Sequence, residues 1–190
     1  NGDSCTLQSA VTVTELMEHP VLLEAIPNWY AFLKLLSSTP IRNIATIAGN
    51  LANASPIGDF TIILMALKAT LTLSDKENNE RQIALKDFYL GYKTLDKQPD
   101  EIISAITFDL PKDNKFNFEK VCKRQYLDIA SVNTAFQFST NGNTITQAHG
   151  AIGGVGPIPK FLSQTCEFLA GKEISAHNIR QAEGILQTEI

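Results

Sequence analysis

Residues 41–59, Ile-Arg-Asn-Ile-Ala-Thr-Ile-Ala-Gly-Asn-Leu-Ala-Asn-Ala-Ser-Pro-Ile-Gly-Asp, are the run of side chains in this sequence best suited to hold a ligand. After an extended opening the side chains become small or amide-bearing. Small residues let a ligand reach backbone N–H groups, and the start of a following helix at Phe60–Leu67 favours an anion such as a diphosphate. Asn50, Asn53, Ser55 and Asp59 can add polar contacts. The same residues also allow a purely structural reading, in which Ser55 or Asp59 caps the helix and Gly49 makes a turn. Elsewhere the chemistry is sparse. Cys5, Cys122 and Cys166 are odd in number, far apart and in no C-x-x-C pair, which argues against a disulfide framework or an iron–sulfur cluster. His19, His149 and His177 lack metal-ligand spacing, so no metal site is expected. There is no G-x-S-x-G elbow and no P-loop, and Gly150, Gly153, Gly154 and Gly156 have the wrong spacing for a dinucleotide fingerprint. No side chain stands out as catalytic, so any chemistry falls to an organic cofactor.

The elements that must position these residues can be read from patterning. The chain has 190 residues, 44% hydrophobic and 19% charged, enough apolar material for a core. A net charge of −4 lacks the basic footprint of a nucleic-acid binder. Apolar runs such as Phe60–Leu67 fall far short of the roughly 20 residues that a membrane span needs. The opening Asn1-Gly2-Asp3, with no signal peptide and no initiator methionine, reads like the middle of a longer polypeptide. Residues 6–13 alternate as a strand, and Thr12 and Glu15 have capping-box spacing for a short helix that His19-Pro20 ends. Asn28 can cap a second helix, which stops before Pro40. Ala69–Ser74 and Gln82–Leu85 read as strands, and Lys86–Gly91 starts a helical turn. Gln98-Pro99-Asp100 is the best boundary, dividing the chain into residues 1–98 and 99–190. Beyond it, strand patterns run over Glu101–Leu110, Phe116–Arg124, Val132–Thr140 and Thr144–Ile152, the last two joined through a type I′ signal at Asn141-Gly142. Two helices close the sequence, Lys160–Ala170 and Ser175–Thr188, with Gly171 as C-cap and Ser175 as N-cap. The predicted fold class is α+β.

These motifs carry a family resemblance. The 41–59 run resembles the second flavin motif of the FAD subunit of xanthine dehydrogenase and related molybdenum hydroxylases. Asp100–Ile103, Lys120–Arg124 with Asp128-Ile-Ala130, and Ile152–Pro159 follow in the order that family shows. The similarity spans nearly the whole chain. It implies the second half of a PCMH-type FAD-binding domain over residues 1–98. A small antiparallel sheet packed with C-terminal helices, like the C-terminal domain of carbon monoxide dehydrogenase flavoproteins, follows over 99–190.

By this resemblance Thr46, Ile47, Ala48, Gly49 and Asn50 follow the FAD diphosphate, and Asp59 hydrogen-bonds the ribityl–flavin region. Ile103 packs near the flavin ring, Lys120 makes a polar contact to the cofactor, and Arg124–Ser131 borders the acceptor side. Leu36 stands where relatives often place an aromatic. Ala48-Gly49 replaces the usual double glycine, which a methyl tolerates if φ is negative there. Ile103 and Lys120 also have ordinary readings, as a buried strand residue and a solvent-facing lysine. The family's first flavin motif is not in the sequence. The implied activity is electron transfer: iron–sulfur clusters pass electrons to FAD, and FAD passes them to NAD or another acceptor. Molybdopterin and the clusters are expected on partner subunits or domains, in the cytoplasm. The alternative is a subunit-interaction module that takes no FAD on its own.

Overall fold

The structure is a computed structural model that describes residues 4–111 and 115–190; the opening Asn1-Gly2-Asp3 lies outside the described residues. Strand β1 (Ser4–Gln8) is followed by a run of short helices: α1 (Val13–Met17), α2 (Pro20–Ala25), α3 (Trp29–Lys34), α4 (Thr39–Arg42), α5 (Ile47–Ala52) and α6 (Asp59–Ala66). Strands β2 (Thr70–Ser74) and β3 (Glu80–Ala84), the small hairpin β4 (Tyr89–Gly91) and β5 (Thr94–Leu95), and β6 (Ile102–Asp109) come next. The second half holds β7 (Phe116–Val121), β8 (Val132–Asn141), β9 (Thr144–Gly153), β10 (Lys160–Phe161), α7 (Ser163–Leu169) and α8 (Ala176–Glu189).

Local chemistry accounts for much of this. Thr12 and Glu15 form the capping box, each satisfying the other's backbone N–H. Ser175 caps α8 by accepting from the Asn178 N–H, and Gly171 turns the chain after α7 at φ +80°. As expected, α1 ends before His19-Pro20 and α3 before Pro40; Pro20 then opens α2 and Pro40 sits in the first turn of α4, where a proline's missing N–H costs nothing. Other expectations are corrected. Asn28 precedes α3 in a left-handed conformation, φ 62°, and its side chain caps nothing. The hairpin after β8 turns at Gly142-Asn143, with positive φ at Gly142 alone, whereas a I′ turn needs it at both central residues. Lys160 and Phe161 pair as a strand with β9, so the helix begins only at Ser163.

Two antiparallel sheets result, in the orders β1-β6-β2-β3 and β10-β9-β8-β7. Strand β6, expected beyond the boundary at Gln98–Asp100, is instead a central strand of the first sheet, between β1 and β2. The chain passes from one sheet to the other after Asp109. Helix α6 is buried from Phe60 to Ala66 and packs against β8 and β9. A helix apolar on every face has to lie inside the protein. One hydrophobic core therefore joins Leu71, Ile106 and Phe108 of the first sheet to Phe118, Ala135 and Ala151 of the second. The outer face of the second sheet packs on α7 and α8 through Ile145, Cys166, Leu169 and Ala182.

Candidate functional site

Asp59 is the first residue of α6, where the positive end of the helix favours a carboxylate. Its Oδ2 accepts from Lys120 Nζ at 2.8 Å, and its Oδ1 accepts from Asn133 Nδ2 at 2.7 Å. Lys120 reaches in from β7 and also donates to the Leu35 carbonyl at 3.1 Å. Its side chain is 3% exposed and that of Asp59 10%, so the pair is desolvated and Lys120 is not the solvent-facing lysine of the ordinary reading. This pair forms one wall of an open cavity of about 770 Å³. Leu36, Asn50, Ile57, Arg124 and Ala130 are among its other lining residues. Asn50 Oδ1 is buried there with no hydrogen-bond partner. At the rim, Asp128 accepts from the backbone N–H groups of Arg124 and Ile129, shaping the 124–130 loop. The Arg124 guanidinium beside it holds the Asp128 carboxyl below its ordinary range.

Residues 47–50 lie in α5, so Gly49 is helical and not the turn of the purely structural reading. Thr46 caps α5, its Oγ1 accepting from the Gly49 N–H at 3.1 Å. Ala48 is not among the residues with positive φ, so its methyl is tolerated. Ile47 is fully buried and anchors α5 to the core. Thr46, Ala48, Gly49 and Ile103 line a second groove, of about 470 Å³, with Lys97 and Glu101 at its edge. The sequence-selected residues thus fall into three places. Asn50, Asp59 and Lys120 meet at the larger cavity, Thr46, Ala48, Gly49 and Ile103 at the smaller groove, and Ile47 faces inward. Helix α5 forms the ridge that the two share.

Sequence reasoning missed Asn133. It is 1% exposed on β8 and bonds Asp59 and the Ile57 carbonyl across 74 and 76 positions of chain. A signal for it existed: β8 alternates, and Asn133 and Gln137 occupy its buried row beside Ala135, where apolar residues belong. Among the described residues no group of three or more His, Cys, Asp or Glu side chains could hold a metal ion, and no helix is long and apolar enough to cross a membrane.

The size of the larger cavity suits a small organic cofactor. Its unmatched Asn50 oxygen and its mixed lining of Leu36, Lys120 and Arg124 suit one with an apolar ring and polar arms. The fold is that of carbon monoxide dehydrogenase: the structure of that enzyme from Hydrogenophaga pseudoflava superimposes with a TM-score of 0.90 at 20% identity, over 97% of this chain and 64% of that one. Residues 1–112 match the family described as the FAD binding domain in molybdopterin dehydrogenase, and residues 118–190 match the CO dehydrogenase flavoprotein C-terminal domain. The chain belongs to this family of FAD-binding domains, and FAD is the family's cofactor. A xanthine dehydrogenase of Oryza sativa is 38% identical over 148 residues, 74% of this chain and 11% of the relative. The glyceraldehyde dehydrogenase medium chain of Sulfolobus acidocaldarius is 24% identical over 93% of this chain and 62% of its own length. The chain therefore spans about a tenth of the xanthine dehydrogenase and under two thirds of the medium chain.

Proposed function

We propose that this chain forms part of the FAD site of a xanthine-dehydrogenase-like oxidoreductase, in which bound FAD relays electrons between redox centres. The supporting observation is the convergence of Asn50, Asp59 and Lys120, from α5, α6 and β7, on one cavity in a chain of this family. Asn50 and Asp59 offer acceptors there, and Lys120 offers a proton beyond the two it already donates. Thr46, Ala48 and Gly49 offer a wall without bulky side chains, held in place by Ile47, and Ile103 adds an apolar contact. Ile103 and Lys120 line different grooves, so they serve different parts of the cofactor. The Arg124–Ser131 segment borders the acceptor side, with NAD as one candidate acceptor. Molybdopterin and iron–sulfur centres on partner subunits or domains would complete the electron path. Three unpaired cysteines suit a cytoplasmic location.

Titration of FAD with the purified chain, followed by flavin fluorescence, tests this reading. Saturable quenching is expected, weakened about tenfold or more in Asp59→Ala through loss of a charged hydrogen-bonding group. The alternative reading, a subunit-interaction module, draws on the exposed Ile44, Leu127 and Ile129, which are 74%, 60% and 76% exposed. It requires that no saturable quenching be seen.

A further inference from the structure

We infer that Asn133 is the positioning residue of this site: from the second sheet it fixes the Asp59 carboxylate against Lys120. Its geometry stands independently, while its consequence for the cofactor rests on the flavin reading. Asn133 Nδ2 has two protons, and both are used, one on Asp59 Oδ1 at 2.7 Å and one on the Ile57 carbonyl at 3.1 Å. Both partners are acceptors, so only one orientation of the amide is compatible with them. Its own Oδ1 is buried with no partner. It lies 2.3 Å from where a Cβ on Gly153 would stand, so the glycine makes room for it. A buried amide oxygen left unmatched weakens a fold, and an apolar residue would serve the packing of β8 better. What the amide secures is the orientation of Asp59.

That orientation has a direct effect on Lys120. A carboxylate on a short side chain can rotate, but with Oδ1 tied to β8, Oδ2 must face the ammonium. Lys120 then spends two protons on Asp59 and Leu35, and the third remains for whatever fills the cavity. The second sheet, through Asn133 on β8 as well as Lys120 on β7, thereby sets the charge geometry around the carboxylate that closes the 41–59 run.

The test uses Asn133→Ala, the isosteric Asn133→Asp, and Ala182→Gly in α8 as a remote variant that also lowers stability. Two readouts are taken: the FAD dissociation constant, and the ¹H–¹⁵N signal of the Lys120 ammonium in the cofactor-free chain. That signal depends on burial and firm hydrogen bonding. In Asn133→Ala, FAD affinity is expected to fall about tenfold and the Lys120 signal to be lost to exchange. Asn133→Asp, which turns a second carboxylate toward Asp59, is expected to lose more. Ala182→Gly should change neither readout. A Lys120 signal retained in Asn133→Ala overturns the inference, as does an unchanged dissociation constant where the wild type binds. If the wild-type chain shows no saturable quenching, the flavin reading fails, and the ammonium signal alone decides whether Asn133 positions the pair.

Discussion

Asp59 and Lys120 are each other's counter-ion in a pair almost closed off from water. Replacing Lys120 by Met leaves a desolvated carboxylate without its counter-ion. The expected loss of stability is about 3–5 kcal/mol, measured by urea denaturation. A smaller change carries a comparable steric lesson. At Gly150 a Cβ would stand 2.2 Å from the Phe136 ring, so Gly150→Ala forces the ring aside, at an expected cost of about 1–3 kcal/mol. At this scale the sequence was unevenly legible. Asp59 and Lys120 were found through their motif, since a lysine in an alternating strand otherwise reads as a surface residue. Asn133 belongs to no motif and was betrayed only by its polarity in the buried row of β8. Its partners lie more than 70 positions away, a distance that local patterning does not bridge.

Among the elements, α5 and α7 show how short helices are held. Helix α7 has Leu162 at its N-cap, which offers no side-chain acceptor. Glu189, at the end of α8, takes over the role. Its carboxylate accepts from the backbone N–H groups of Gln164 and Thr165, both at 2.9 Å, and from the Thr165 hydroxyl at 2.7 Å. Glu189→Ala should therefore behave as the loss of a cap, destabilising by about 1–2 kcal/mol in the same denaturation assay and fraying α7 from its start. Helix α5 was illegible because Ala-Gly-Asn gives no apolar period and Gly49 is a poor helix former. Tertiary context decides it: buried Ile47 and Leu51 pin the turn that Thr46 caps. The place of β6 was hidden for a related reason. Pro99 marks a loop, but a loop does not say which sheet the next strand joins.

The whole molecule responds to pH where the two sheets approach each other. His149 on β9 lies near Lys68, which follows α6, and Asp109, which ends β6 of the first sheet. Burial and then the Lys68 charge hold its pKa below the ordinary 6.5, with Asp109 pulling the other way. The unfolded chain therefore takes up a proton near pH 6.5 that the folded chain refuses, and stability falls as the pH drops below that value. Thermal midpoints are expected to decline from pH 7 to pH 5, and His149→Gln should flatten that decline. Glu101 acts in a separate window. Its bidentate partner Arg81, then the Gln98 N–H, holds its pKa at about 2. The stability it confers is complete above 4.5, its ordinary value, and is lost as the pH falls toward 2. The pairing of β1 with β6 sets Ser4 opposite Asp109. During synthesis the first sheet cannot close until that distant strand has left the ribosome, and closing so long a loop carries an entropic cost that neighbouring-strand pairings avoid.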